Sequence, residues 1–145
     1  MGGSGEALPA GAVGEKLEAT GIVTVPTFGT FHYVTGARIT LTPGTWLIAF
    51  YGDSYYYNTT NNAALINQTQ KIRNTTDNID IIFQTNRGLF SVVHSDFSST
   101  FGGSKIVTVT SNKVIEIQQR FNTEIGTYTA GTNLANAVIT AVRIA

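Results

Sequence analysis

The chain has 145 residues, and its nine basic and nine acidic side chains leave it with no net charge. A neutral chain is poorly suited to nucleic acid, whose binding depends largely on contacts to phosphates, so no nucleic-acid partner is expected. The absence of cysteine excludes a disulfide framework and a cysteine zinc site, and no apolar run approaches the roughly 20 residues that cross a membrane as a helix. One domain is expected, because a chain of this length hides roughly 70% of its unfolded surface in a single core.

The start of the chain is predicted to be a flexible lead-in. Residues 1–14 are rich in Gly and Ala and lack the basic and then apolar pattern of a signal peptide. Residues 15–145 are predicted to form the single folded domain. Within it, residues 16–25 and 30–34 have the composition of short strands, and the Thr-Gly pair that follows predicts a turn before a strand at 37–41.

Residues 41–51 are predicted to hold the centre of the fold. Pro43 fixes φ at the corner of a turn and Gly44 adopts dihedral angles that other residues resist, so a strand is expected to begin there. Since an antiparallel sheet usually has one face in water, one apolar face of this strand is predicted to enter a sandwich core and the other to meet another subunit. The core face is Trp46, Ile48 and Phe50, and the second face is Leu47, Ala49 and Tyr51.

The next stretch, residues 52–62, is rich in tyrosine and amide side chains and is predicted to be exposed. Tyrosine rings stack on the apolar faces of sugars, while Asp and Asn side chains bond sugar hydroxyls. The alternative is that the three adjacent tyrosines form the edge of a core or a subunit contact. The candidate ligand-binding residues are Asp53, Tyr55, Tyr56, Tyr57, Asn58 and Asn61.

Short β-rich runs fill the second half of the chain. Residues 63–72 favour a strand over a short helix, and residues 79–84 and 89–94 predict a hairpin joined at 85–88.

A second hairpin is predicted around residues 111–113, preceded by a corner at Gly102-Gly103, and residues 137–144 predict the last strand. Eight or nine short strands at this spacing are typical of an all-β, antiparallel β-sandwich, with a jelly roll as the first choice.

Residues of catalytic type are few. His94 and Asp96 would share a strand face, a spacing that suits a metal or a proton-transfer pair, but a polar strand-end residue bonded to backbone or solvent is the plainer interpretation. The serines beside His94 lack a Gly-x-Ser-x-Gly elbow, and the Gly-Gly-Ser-Lys run at 102–105 lacks the order of a phosphate loop. No catalytic residue, metal ligand or cofactor is therefore predicted, and the chain is not expected to be an enzyme.

Three motifs together resemble the C-terminal jelly-roll domains of bacteriophage tail-fibre and head-fibre proteins. They are Ala-Val-Gly-Glu at 12–15, Leu-Thr-Pro-Gly-Thr-Trp at 41–46 and Val-Ile-Thr-Ala-Val-Arg-Ile at 138–144. The resemblance implies a trimeric knob like those of tumour-necrosis-factor and complement-type domains, joined to the remainder of a virion fibre. The second face of the central strand, or the closing strand, is expected to line the threefold axis.

The predicted function is a non-enzymatic attachment module, a fibre tip in the virion that binds a glycan or protein receptor on the host-cell surface. The alternative is a structural module that trimerises a fibre or decorates a capsid without a ligand of its own. A concave, aromatic-lined site would favour the first, whereas tyrosines hidden in subunit contacts would favour the second.

Overall fold

The computed structural model describes residues 9–25, 27–58, 64–90, 96–126 and 131–145. Within these residues the chain forms eight strands: β1 (Lys16–Thr24), β2 (His32–Leu41), β3 (Gly44–Asn58), β4 (Ala64–Asn74), β5 (Ile79–Phe90), β6 (Asp96–Val109), β7 (Lys113–Gly126) and β8 (Gly131–Arg143).

The strands form two antiparallel sheets that pack face to face. The first sheet has the order β1-β8-β3-β6 and the second has the order β2-β7-β4-β5. Each sheet thus takes strands from both halves of the chain, which is the jelly-roll arrangement. The predicted all-β jelly roll is confirmed.

The core lies between the inner faces of the two sheets. Trp46 and Ile48 on β3 are fully buried and Phe50 is 2% exposed, which confirms the predicted core face of the central strand. They pack against side chains of the second sheet such as Ile72 and Ile117, both fully buried. Full burial of side chains of this size contributes roughly 1.5–3 kcal/mol each, so this cluster is the main stabilising element.

The predicted turn before the central strand is present, and the Arg143 side chain packs against it and hydrogen-bonds to it. Gly44 has φ of +148°, and a Cβ atom there would collide with the Arg143 guanidinium, so only glycine fits. Arg143 Nη1 donates to Pro43 O at 2.5 Å, and Trp46 Nε1 donates to Thr42 O at 2.9 Å. The turn is therefore held by the last strand and by the first core residue that follows it.

Two predicted turns are wrong, because their glycines lie inside strands. The Thr35–Gly36 pair lies inside β2, where the pairing with β7 shifts register between Tyr33 and Arg38. A Cβ atom on Gly36 would lie 2.7 Å from Thr20 O, so this glycine lets β1 approach β2. The Gly102–Gly103 pair likewise lies inside β6.

Two predicted hairpins are also wrong. Residues 85–88 lie inside β5, where Thr85 pairs with Thr69 and Gly88 pairs with Ile66. Residues 110–112 connect β6 to β7, but these strands belong to different sheets, so the chain crosses the sandwich there. The strands are longer than predicted because polar residues, which look like loop residues in the sequence, continue the β ladders.

The strands predicted at 16–25, 63–72 and 137–144 are present as β1, β4 and β8. Ahead of β1, the backbone N–H of Gly14 donates to Arg143 O at 2.7 Å, so the described end of the lead-in is tied to the last strand. No helix in the described ranges is long and apolar enough to cross a membrane.

Candidate functional site

The structure separates the predicted ligand-binding residues. Strand β3 continues to Asn58, and its alternation places Asp53 and Tyr55 outside the sandwich and Tyr56 inside. Tyr56 is 1% exposed, and its ring centroid lies 5.9 Å from that of Phe28 in a second buried cluster. The prediction of ligand contact is therefore wrong for Tyr56, which is a core residue.

Other predicted residues lie outside the described part of the molecule. The side chains of Tyr57 and Asn58, and all of Asn61 and His94, are among them. Within the described residues, no group of three or more His, Cys, Asp or Glu side chains could hold a metal ion.

The outer face of the first sheet carries a set of apolar side chains from three neighbouring strands. Leu47 on β3 stands between Val142 on β8 and Ile106 on β6, and Tyr51 pairs with Val138. Leu47, Tyr51 and Ile106 are 40%, 60% and 59% exposed. We call these five residues the apolar face.

The described members of the tyrosine-rich segment extend this apolar face. Tyr55 lies four residues beyond Tyr51 on the same side of β3, opposite Leu134 on β8. Asp53 lies between the two tyrosines on that side and is exposed. The segment thus continues the surface that the sequence predicts to meet another subunit.

The outer face of the second sheet has the opposite character, because charged side chains follow one another across its strands. Glu116, 3% exposed, accepts from Arg38 at 3.1 Å and 2.6 Å, and this hydrogen bond raises the pKa of the Arg38 guanidinium. Asp80 Oδ1 lies 3.0 Å from Lys71 Nζ and 2.7 Å from Arg73 Nη1. Desolvation raises the pKa of the Asp80 carboxyl, but hydrogen bonds from Arg73 and Lys71 outweigh it and hold the pKa below its usual value.

A depression of about 200 Å³, which we call the hollow, opens on this charged face. Its seven lining residues are Phe31, Thr69, Lys71, Asp80, Phe83, Thr85 and Arg120.

The β ladder brings the residues of the hollow together. Phe83 stands opposite Lys71, and Thr85 stands opposite Thr69, in the β4–β5 pairing. Asp80 and Phe83 are three residues apart and would point to opposite sides of a regular strand. A register shift between Ile72 and Arg73 on β4 places both on the outer face.

Phe31 holds the two cations of the hollow from the segment before β2. Lys71 Nζ lies 3.7 Å from the centroid of the Phe31 ring, and Arg120 Cζ lies 4.7 Å from it. The hollow was not predicted from the sequence. The alternation of Lys71 and Arg73 around the buried Ile72 indicates a charged strand face. The register shift that brings Asp80 to this face cannot be predicted from composition.

A second depression, of about 360 Å³, lies where the edges of the two sheets meet and includes Leu41, Ile79, Ile81 and Ile115 among its lining residues. We call it the edge pocket. Its charged groups, Asp77 and Lys113, pair at 2.8 Å. The hydrogen bond from Lys113 lowers the pKa of the Asp77 carboxyl.

No protein-family model matches the chain. No curated protein matches it by sequence.

Comparison with solved structures finds similar folds at low sequence identity. Eiger TNF from S. frugiperda is 14% identical, with a TM-score of 0.51 over 90% of this chain and 93% of that chain. The infectious bursal disease virus VP2 subviral particle is 9% identical, with a TM-score of 0.50 over 97% of this chain. The globular domain of zebrafish complement 1qA is 11% identical, with a TM-score of 0.41 over 90% of this chain and 98% of that chain.

The first two similarities support the jelly-roll fold and extend no further. The chain spans 36% of the viral capsid protein. None of the three structures is a phage fibre protein, so the resemblance to fibre tips stays a prediction.

Proposed function

We propose that this chain is a non-enzymatic, homotrimeric attachment module of a virion fibre that binds a receptor on the host-cell surface. The apolar face carries the proposal. Leu47, Tyr51 and Ile106 stand on one side of one sheet, each at least 40% exposed. Large exposed apolar patches are uncommon on monomers and mark interaction surfaces.

The occupant that we assign to the apolar face is a second copy of the chain. The five side chains of this face carry no charge, and the whole chain has no net charge, so copies meet without repulsion. A closed ring of identical subunits buries the face in every copy. The choice of three subunits for the oligomer rests on the resemblance to phage fibre tips.

Trimerisation would serve attachment through multivalency. The outer face of the second sheet lies on the opposite side of the sandwich from the apolar face, so it stays open when copies associate. Three copies of a weak site then act together, because the second and third contacts form at a high effective concentration.

A structural role, in which the module trimerises a fibre or decorates a capsid without a ligand, is the second candidate. One observation favours it: Tyr55 lies on the side of β3 that carries Tyr51 of the apolar face, and Tyr56 is buried. Tyrosines placed in this way suit subunit packing better than a ligand site.

The experiment is a competition assay with the purified domain and the virus that carries it. Under the proposed function, soluble trimer binds host cells and lowers virion adsorption in a dose-dependent way. Trimer that binds no host cells and leaves adsorption unchanged would contradict attachment and favour the structural role. Monomeric domain would contradict the assembly on which both roles depend.

A further inference from the structure

We propose that the hollow is a binding site for a sugar residue that carries a carboxylate. The inference rests on the proposed function, since it names the ligand class of the attachment module. The hollow is distinct from the tyrosine-rich segment, because Lys71 and Phe83 belong to the second sheet and Tyr55 belongs to the first.

The hollow carries a net positive charge. Lys71 and Arg120 line it together with a single carboxylate, that of Asp80. Asp80 also pairs with Arg73 at 2.7 Å, so its negative charge is shared between two cations. The Lys71 side chain is 9% exposed, and a charge that is partly withdrawn from water is screened less by salt. A ligand with an anionic group is therefore expected to bind the hollow more tightly than a ligand with a neutral group in its place.

Both cations are held in place before a ligand arrives. The Phe31 ring lies 3.7 Å from Lys71 Nζ and 4.7 Å from Arg120 Cζ. Asp80 restrains Lys71 from a second direction, at 3.0 Å. Groups that are already ordered lose little conformational entropy on binding, which favours a small ligand with few contacts.

The remaining groups suit the ring and hydroxyls of a sugar. The Phe83 side chain is 69% exposed and offers an aromatic surface to the apolar C–H face of a sugar ring. Thr69 Oγ1 and Thr85 Oγ1 lie 2.8 Å apart and share one hydrogen, so the pair keeps a second hydroxyl hydrogen to donate. Asp80 adds carboxylate oxygens that accept from sugar hydroxyls.

The size of the hollow limits the ligand to one ring. Its volume of about 200 Å³ is below the roughly 300–1,000 Å³ of pockets that hold drug-sized molecules. The edge pocket is larger, but its described lining includes no aromatic side chain, and its two charged groups, Asp77 and Lys113, pair with each other and leave no excess positive charge. The hollow is therefore the better site for a charged monosaccharide unit.

The test is an NMR titration of the full chain with galacturonic acid and with galactose, which has a hydroxymethyl group in place of the carboxylate. We expect galacturonic acid to bind about three- to fivefold more tightly, and the difference to shrink at high salt. Phe83→Ala should weaken binding about three- to tenfold through loss of the aromatic surface. Ile79→Ala is the matched control, because Ile79 is 56% exposed on the same strand and lines the edge pocket.

Several results would overturn the inference. They are no binding of galacturonic acid at millimolar concentration, equal binding of the two sugars, or a loss with Ile79→Ala as large as that with Phe83→Ala. Host-cell binding separates this failure from that of the proposed function. If unaltered and Phe83→Ala trimers bind cells equally well, the hollow is not the receptor site, but the proposed attachment function is retained. If the sugar binds the hollow but the trimer binds no cells, attachment fails.

Discussion

Arg143 is the residue that joins the two ends of the domain to its central turn. Its side chain is 5% exposed, and its Nε donates to Glu15 Oε2 at 3.3 Å. Its guanidinium lies 4.5 Å from the centroid of the Trp46 ring and also donates to Pro43 O. A planar group with five donors makes these contacts at once, which a lysine ammonium cannot do.

Arg143→Ala should destabilise the domain by about 3–5 kcal/mol, because it leaves the Glu15 carboxylate, 13% exposed, without its cationic partner. Arg87→Ala is the control. Arg87 also pairs with a glutamate, Glu124, but is 67% exposed, so its loss should cost about 0–1 kcal/mol. Urea unfolding at matched protein concentration measures both, and equal losses would contradict the role assigned to Arg143.

Asp80 makes the stability of the domain depend on acid. Its folded pKa is lowered, so its contribution is present above the unfolded pKa, near 3.8, and is lost as the pH falls through the folded pKa. Unfolding free energies measured between about pH 5 and pH 2 should fall less steeply for Asp80→Asn than for the unaltered chain. Because the carboxylate is 41% exposed, 1 M salt should reduce the difference. If the unfolding free energies of the two chains depend identically on pH at low salt, this role of Asp80 is contradicted.

At the scale of the strands, β3 shows how far alternation predicts the fold. From Trp46 to Phe50 the inward residues are large and apolar, and their burial was predictable. Beyond Tyr51 the inward residues include Gly52 and Ser54, and composition indicated an exposed stretch. Ser54 is nevertheless 1% exposed, because its hydroxyl donates to Gln68 Oε1 across the sandwich at 2.9 Å.

Such cross-sheet partners explain much of what sequence reasoning missed. The Ser54–Gln68 contact joins side chains from different sheets, and a local pattern does not reveal which distant strand faces which. Gly103 looked like a corner, but a Cβ atom there would lie 3.3 Å from the Phe50 ring, so the glycine makes room for a core side chain. Local periodicity thus predicted the core face, and the long-range register was needed for the rest.

The Ser54–Gln68 pair gives a test of this interpretation. Ser54→Ala should cost about 1–3 kcal/mol, because Gln68 Oε1 would lose the hydroxyl donor of Ser54 in a fully buried position. Ser54→Ala combined with Gln68→Met should recover much of that loss, since replacing both partners by apolar groups leaves no unpaired oxygen. A double variant whose unfolding free energy equals the sum of two independent losses would show that the pair is not coupled.

At the scale of the whole molecule, the two outer faces of the sandwich have different roles in the proposed function. Under that proposal, the apolar face on the first sheet would meet other copies, and the charged face with its hollow on the second sheet would meet the receptor. Leu47, which is 40% exposed, belongs to the apolar face, and Phe83, which is 69% exposed, belongs to the charged face. This division predicts that changes on one face leave the role of the other intact.

The most direct test is light scattering of the purified chain and of Leu47→Asp at micromolar concentration. The unaltered chain should have three times the 15.5 kDa mass of one copy. Leu47→Asp places a charge in the apolar face and should give a folded monomer, since an unpaired carboxylate is costly to bury. Phe83→Asp, which makes the same kind of change on the opposite sheet, should stay trimeric. A monomeric unaltered chain, or a Leu47→Asp chain that remains a trimer, would contradict the proposed assembly.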